Sequence, residues 1–196
     1  SAIRTSLGQQ NMTAQSSFDS HSTLLYSLDA VIDGVLREFR LTQTGKVVNY
    51  YLIMANFKNL PKLTDSLGKL RGRGAGIIAG QNPTEQDMQA IRNFKVAAEY
   101  PRVDFFQNLS AMAISDSSYS DINRQIETLR REIQQALMLA QNNILEPNIA
   151  ATVTPEQYFE AYTNLIDGLY AYQGELVNRL TGNLQNDHAA TVGRET

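Results

Sequence analysis

Apolar residues recur at steps of three and four positions along most of this 196-residue chain, and this spacing limits the fold more than any other feature of the sequence. Steps of three and four place side chains along one side of an α-helix, whereas a strand with one buried face alternates apolar and polar residues. No stretch of the chain shows sustained alternation between hairpin turn signals. The sequence therefore predicts an all-α protein.

Glycines, prolines and polar runs divide the chain into five predicted helices, with approximate ranges 3–41, 46–79, 84–114, 121–145 and 154–186. Three of them carry clear apolar seams. The seams are Leu25, Leu28, Ile32, Val35 and Phe39 in the first helix; Ile122, Ile126, Leu129, Ile133, Ala136 and Ala140 in the fourth; and Tyr158, Tyr162, Leu165, Leu169, Tyr172, Leu176 and Leu180 in the fifth. Helices of roughly 30 to 40 residues are about 45 to 60 Å long, so they must pack side by side. The predicted architecture of residues 1–196 is one elongated antiparallel bundle of the four-helix-bundle type.

Two helix starts have a recognisable capping pattern. Thr84 is followed three residues later by Asp87, which predicts a capped start of the third helix. Thr154 and Gln157 form a similar pair around Pro155, and proline is well accommodated at the first helical position because its missing N–H would be unpaired there. Inside the second helix, Pro61 predicts a kink, since proline removes a backbone donor and clashes with the preceding turn.

The net charge and the length of the longest apolar run argue against a nucleic-acid partner and against a transmembrane segment. The net charge is −3, from 17 basic and 20 acidic residues that are mixed along the chain, so no basic run predicts contact with nucleic acid. The longest apolar run, residues 47–57, contains two asparagines and is much shorter than the ~20 residues that span a bilayer. The sequence predicts neither a nucleic-acid partner nor a transmembrane segment within the chain.

The residue types that most enzymes need are sparse or absent. There is no cysteine, and neither of the two histidines belongs to a Glu-x-x-His pair of the kind that binds a di-iron centre. No Gly-x-Ser-x-Gly or Ser-x-x-Lys motif occurs. The sequence therefore predicts no catalytic residues, no metal site and no cofactor, and the chain is not expected to be an enzyme.

Residues 67–80 (LGKLRGRGAGIIAG) contain five glycines and two arginines. Residues 74–79 match the G-x-G-x-x-G/A dinucleotide fingerprint, but that fingerprint requires a preceding strand, and residues 63–71 have a helical pattern. A nucleotide-binding function would need residues 67–80 to be a loop. In a helix, the four glycines at steps of four would allow the backbone of a neighbouring helix to approach closely; these are Gly68, Gly72, Gly76 and Gly80.

Four residues are the candidates for binding a small molecule: Arg71, Arg73, Tyr50 and Tyr162. The two arginines are two positions apart and point to different sides of a helix, so at most one faces inward, where it would need an anionic partner. The tyrosines could orient a ligand between facing helices. An organic acid is the ligand that these side chains would suit, and the alternative is that the arginines are solvated and the tyrosines belong to the core, as most such residues do.

Several stretches resemble a known family. Residues 48–54 (VNYYLIM) are similar to its "SYYLM" element, and residues 60–72 to its "LP.L...LG.LRG" pattern. Residues 158–167 (YFEAYTNLID) resemble its "yf...T.aId" helix, and residues 176–180 (LVNRL) the "LL..RL" continuation of that helix. The family is the extracytoplasmic helical sensor region of bacterial methyl-accepting chemotaxis proteins, which related sensor histidine kinases and diguanylate cyclases also contain. Residues 41–46 (LTQTGK) depart from it, since they lack the acidic "LDPD" element.

The resemblance implies a single sensor domain that lies between two transmembrane helices and faces the periplasm, as part of a membrane-anchored chemotaxis or signal-transduction receptor. It also implies a homodimer formed through the long first helix, and no enzyme activity. The expected partner is a small-molecule ligand or a periplasmic binding protein. The alternative hypothesis, of a different class, is a helical protein-interaction module or scaffold without a small-molecule ligand.

A domain between two membrane helices needs an even number of crossings, because both of its ends meet the membrane. Five helices would fail this test. Two arrangements would satisfy it. In one, the third segment folds back at Pro101 into half-length helices over 84–98 and 102–114, which gives six segments in two stacked layers. In the other, residues 147–154 join the last two helices without reversing direction.

Overall fold

The computed structural model describes residues 14–38, 40–41, 46–80, 82–146 and 153–192, and nearly all of this part is helical, with no strand in it. The first helix, α1, is Ala14–Glu38. The second, α2, runs through an α-helical part Val47–Ile53, a π-helical part Met54–Asn59 and a second α-helical part Leu60–Gly80. Helix α3 is Glu85–Ser115, α4 is Ile122–Ala140 with a π-helical end Gln141–Leu145, and α5 is Pro155–Val192. The all-α prediction is confirmed.

The chain divides into two compact units, Ser1–Leu41 and Thr42–Thr196. Helix α1 belongs to the first unit. Most of its predicted apolar seam is exposed to solvent, since Leu25, Leu28 and Val35 keep between 44% and 49% of their accessible surface. The seam residue Phe39 lies outside the described residues. The helices of the second unit bury the seams predicted for α4 and α5, and every residue named in those two seams is buried.

The four helices α2 to α5 alternate in direction. Two contacts between each pair of neighbouring helices show this, since the residue number rises from one contact to the other in one helix and falls in its neighbour. The contacting residues are Asn59 with Asn108 and Arg73 with Asp87 for α2 and α3; Lys95 with Gln141 and Phe106 with Arg130 for α3 and α4; Asp121 with Arg179 and Ala136 with Tyr162 for α4 and α5; and Asn49 with Asn183 and Arg71 with Thr163 for α2 and α5. The second unit is therefore an antiparallel four-helix bundle with its first and last helices in contact.

Helix α3 continues through Pro101, so the prediction that the chain folds back there into six segments is wrong. A proline removes one hydrogen bond and bends a helix, but it need not end it. The Pro101 ring is buried together with Ala98 and Phe105 on the core side of α3, which keeps the two halves of the helix on the same face of the bundle. The second arrangement is also wrong, because α4 and α5 are antiparallel.

Both predicted capping boxes are present. The Asp87 backbone N–H donates to Thr84 Oγ1 at 3.1 Å, and Asp87 Oδ2 accepts from the Thr84 backbone N–H at 3.0 Å. At the start of α5, the Gln157 N–H donates to Thr154 Oγ1 at 3.2 Å and Gln157 Oε1 accepts from the Thr154 N–H at 2.9 Å. Each pair satisfies two backbone donors that a helix start would otherwise leave without partners.

Residues 67–80 are helical, so the loop that a nucleotide site would need does not form. The prediction that the four glycines at steps of four line a close helix contact is wrong. A Cβ atom built on Gly68, Gly72, Gly76 or Gly80 meets nothing within 4 Å. The close contact is at Gly74, where a Cβ would overlap the hydroxyl and ring of Tyr158 from α5.

Candidate functional site

Arg71 lies at the edge of the core face of α2, one residue after the fully buried Leu70, and its side chain is half-buried. Its Nη1 donates to Thr163 Oγ1 of α5 at 3.1 Å. Its guanidinium carbon lies 4.8 Å from the centroid of the Phe159 ring, within the range of a cation–π contact. These three side chains, Arg71, Phe159 and Thr163, form the arginine site.

The charge of Arg71 has no counter-ion in the described part of the chain. No carboxylate there lies within salt-bridge distance of Arg71, and its Nε is buried without a hydrogen-bond partner. A buried donor without an acceptor costs roughly 1 to 3 kcal/mol, and more when the group is charged. A carboxylate could accept from the guanidinium edge that carries Nε, because arginine presents paired donors in a planar fork.

Thr163 is oriented to accept from Arg71. Its Oγ1 donates its own hydrogen to the backbone oxygen of Phe159 at 2.9 Å, which leaves the lone pairs of Oγ1 for the arginine. Phe159 and Thr163 are one helical turn apart on α5, so the aromatic ring and the hydroxyl lie next to each other on the side that faces Arg71. Phe159 remains 45% exposed, so this side of the site is open to solvent.

Arg73 points to another side of α2, as the two-residue spacing predicts, and has an internal partner. Its Nη2 contacts Asp87 Oδ1 in the capped start of α3. Hydrogen bonds from the side chain and the backbone of Thr84 lower the pKa of Asp87, and the Arg73 charge contributes in the same direction. Arg73 is thus already paired and joins the turn between α2 and α3.

Tyr162 is fully buried, and its hydroxyl donates to the backbone oxygen of Ala136 in α4 at 2.6 Å. Its ring packs on that of Tyr158 with 5.0 Å between the ring centroids. The Tyr158 hydroxyl donates to the backbone oxygen of Leu70 at 3.3 Å. Burial raises the pKa of both phenols, that of Tyr158 to about 12. Tyr162 is therefore a satisfied core residue beside the arginine site.

Tyr50 lies in the N-terminal part of α2, with its ring against Tyr51 at 5.6 Å between centroids and 38% of the residue exposed. It is separated from Arg71 by 21 positions, or roughly 30 Å along a helix. The four predicted ligand residues are therefore not brought to one place, and Arg71 is the one of the four that has a buried donor without an acceptor among the described residues. The sequence prediction missed Phe159 and Thr163, although a large aromatic residue outside the apolar seam of α5 was a visible signal.

A concave region lies between α4 and α5, away from the arginine site, with a volume of about 290 Å³. Arg124 and Glu175 are at its rim, and Tyr172 is in its wall. The Tyr172 hydroxyl is buried without a hydrogen-bond partner among the described residues, and burial raises its pKa. This groove is open to solvent, and Gly168 of α5 is part of its lining.

Within the described residues, no three His, Asp or Glu side chains cluster as metal ligands would. None of the described helices combines the length and the apolar character needed to cross a bilayer. Comparison of the chain with family models, with curated proteins and with solved structures gives no match. The resemblance to chemotaxis-receptor sensor regions therefore rests on the short motifs in residues 48–72 and 158–180 of this chain.

Proposed function

We propose that this chain is the extracytoplasmic ligand-sensing domain of a transmembrane chemotaxis or signal-transduction receptor, and that it binds a small organic acid at the arginine site. The observation that carries the proposal is the half-buried Arg71, whose charge has no carboxylate partner in the described residues and whose Nε is buried without an acceptor. A bound carboxylate would supply a negative charge beside Arg71 and a hydrogen-bond acceptor for its Nε. The aromatic face of Phe159 would cover one side of the ligand or of the guanidinium itself.

The position of the motifs supports the receptor part of the proposal. Residues 60–72 belong to α2 and residues 158–167 to α5, and the two segments are adjacent in the bundle through the bond from Arg71 to Thr163. Stretches that are about 90 residues apart in sequence thus form one surface, as expected if the family pattern reflects a shared site. A ligand that contacts both helices can bias their relative position only through different affinities for two arrangements.

The experiment is a binding titration of the full chain by calorimetry and thermal shift with acetate, succinate, malate, citrate and benzoate. At least one acid should bind, and Arg71→Ala should weaken that binding at least about tenfold, since hydrogen bonds to charged groups contribute roughly 1.5 to 3 kcal/mol. Thr163→Val, which keeps the volume but removes the acceptor that orients Arg71, should weaken it less.

Arg73→Ala is the matched control, because Arg73 lies two residues away on the same helix and is paired with Asp87. The affinity of the Arg73→Ala variant for the acid should match that of the unmodified chain. An equal loss of affinity in the Arg71 and Arg73 variants would mean that the acid responds only to the net charge of the chain, and this result would refute the arginine site. The absence of binding by any of the acids would also refute it. The receptor part is tested separately by the complete reading frame, which should encode flanking transmembrane helices and a cytoplasmic signalling domain.

A second candidate function is a helical protein-interaction module, and one observation favours it. Helix α1 exposes Leu24, Leu28, Val31 and Val35 at steps of four, three and four, with 44% to 61% of each residue accessible. Such spacing forms a narrow apolar stripe of the kind that packs against another helix. In the receptor proposal the same stripe is the homodimer contact, so the two functions differ in whether the occupant is a second copy or another protein.

A further inference from the structure

Immediately before Pro61, the backbone hydrogen bonds of α2 span one residue more than those of an α-helix. Residues Met54–Asn59 are π-helical, and the N–H of Leu60 donates to the oxygen of Ala55, five residues earlier, where an α-helix would use the fourth. In this pattern the next donor would be the N–H of residue 61, and its acceptor would be the Asn56 oxygen. Proline has no N–H. The position of Pro61 therefore leaves the Asn56 backbone oxygen without its helical donor.

Gln173 of α5 supplies the missing donor. Its Nε2 donates to the Asn56 backbone oxygen at 2.9 Å, in a part-buried position. The side chain of one helix thus replaces a main-chain donor of another. The contact is of ordinary length for an N–H to oxygen hydrogen bond, and such bonds weaken steeply when the distance or angle changes.

Other amide groups hold the same turn. The Asn56 side chain is fully buried, and its Nδ2 donates to the Leu52 oxygen at 2.9 Å. In the contact with α3, Asn59 Oδ1 accepts from Asn108 Nδ2 at 2.9 Å. The Asn56 Oδ1 has no hydrogen-bond partner within the described residues. The turn is therefore polar, imperfectly satisfied and dependent on both neighbouring helices, which is unusual for the centre of a bundle.

We propose that the Gln173 side chain and the Asn56 backbone oxygen form a latch that couples the position of α5 to the conformation of α2. While the Gln173 side chain bonds the Asn56 oxygen, residues 54–59 keep their π-helical conformation. When α5 moves along α2, the latch breaks, and the turn becomes free to change the rotation of residues 47–53 relative to residues 60–80. This inference rests on the proposed function for its input, because Arg71 and Thr163 join the same two helices.

The distance between the two contacts suits such a coupling. Thr163 and Gln173 are ten positions apart on α5, or roughly 15 Å along a rigid helix. A ligand that draws Arg71 and Thr163 into a new arrangement would therefore move Gln173 together with Thr163. Helix shifts of about 1 to 2 Å are typical of signalling transitions, and a shift of that size exceeds the tolerance of a hydrogen bond.

The test is amide hydrogen exchange of the full chain without ligand, with residue resolution by NMR. Gln173→Met keeps the length of the side chain but removes the donor, and it should speed exchange of the amides of residues 54–60 at least about tenfold while α4 is unaffected. In a Pro61→Ala background, the restored backbone N–H can bond to a carbonyl of the turn, so Gln173→Met should change exchange there less than about twofold. Gln185→Met, at an exposed position on the same helix, is the control.

The rescue by Pro61→Ala separates a latch from simple packing. Equal acceleration by Gln173→Met in both backgrounds, or no acceleration in either, would refute the latch. The coupling is tested with the acid that binds best in calorimetry, which should change exchange at residues 54–60 in the unmodified chain but not in the Pro61→Ala, Gln173→Met double variant. Binding without this difference refutes the coupling. If no acid binds, the proposed function fails, while the ligand-free comparison still decides the latch.

Discussion

The ring and hydroxyl of Tyr158 occupy the space that a side-chain methyl group would take at Gly74. Tyr158 cannot easily retreat, because it is fully buried, packs on Tyr162 and donates to the Leu70 oxygen at 3.3 Å. The contact explains one glycine of the unusual 67–80 segment by a specific requirement for space. The same contact fixes the position of α5 along the axis of α2, next to the arginine site.

Gly74→Ala should destabilise the chain by about 1 to 2 kcal/mol, because the strain of overpacking exceeds the gain in helix propensity. Urea denaturation of the full chain measures this change. Gly76→Ala is the matched control on the same helix, since its Cβ meets nothing within 4 Å. That control should be neutral or more stable by up to roughly 1 kcal/mol. A Gly74→Ala variant as stable as Gly76→Ala would contradict the contact with Tyr158.

Two buried tyrosines of α5 should respond in opposite ways to loss of the hydroxyl. Tyr162→Phe removes the 2.6 Å hydrogen bond to the Ala136 oxygen and should cost about 1 kcal/mol. Tyr172→Phe removes a buried hydroxyl that has no partner in the described residues, so it should be neutral or stabilising by roughly 1 kcal/mol. Equilibrium unfolding of the two variants compares them directly. A loss of stability in Tyr172→Phe as large as that in Tyr162→Phe would show that the Tyr172 hydroxyl is bonded in solution.

The stability of the bundle should fall steeply in alkaline solution. Burial raises the pKa of the Tyr158 phenol to about 12, and it also raises the pKa values of Tyr162 and Tyr172. An unfolded tyrosine ionises near pH 10, so the stabilising effect of keeping each phenol neutral is complete below about pH 10 and is lost as pH rises through the folded pKa.

For Tyr158 alone, the loss between about pH 10 and pH 12 is roughly 2 to 3 kcal/mol. Unfolding curves at several pH values, with tyrosinate absorbance as a second signal, measure it. Tyr158→Phe should reduce the slope of stability against pH in this range. An unchanged slope in that variant would mean that Tyr158 does not titrate as a buried phenol.

Helix α1 should mediate self-association if the receptor proposal is correct. Val31 lies in the exposed stripe with Leu28, and 61% of the residue is accessible. Val31→Lys places a charge at the centre of a helix contact and should shift the dimer toward monomer by at least about tenfold in the dissociation constant. Sedimentation velocity over a range of concentrations measures this shift. Ala30→Lys, at an exposed position on another side of α1, is the control. A chain that stays monomeric at high concentration would favour the protein-interaction alternative.

Local patterns in the sequence predicted the helices α2 to α5, but not the π-helical parts of α2 and α4. The seams of α4 and α5 were predicted residue by residue, because a helix that packs along its whole length repeats its apolar positions every three or four residues. The capping boxes at Thr84 and Thr154 were predicted for the same reason, since the donors and acceptors involved are only three residues apart. The prediction for Pro101 was wrong, because a proline does not always end a helix, and the burial of its ring in the core depends on contacts distant in sequence.

The arginine site was predicted only in part. Arg71 and Arg73 are equivalent by local pattern, and the sequence by itself determined that they point to different sides of one helix. The packing of α3 and α5 against α2 decided which of them has a carboxylate partner, because Asp87 of α3 reaches Arg73 while Phe159 and Thr163 of α5 face Arg71. In the same way, periodicity favoured Gly68, Gly72, Gly76 and Gly80 as the contact, but the position of Tyr158 selected Gly74. Periodicity determines which residues share a side of a helix, whereas the partner of each residue depends on how far one helix lies along another, and that offset is set by side chains distant in sequence.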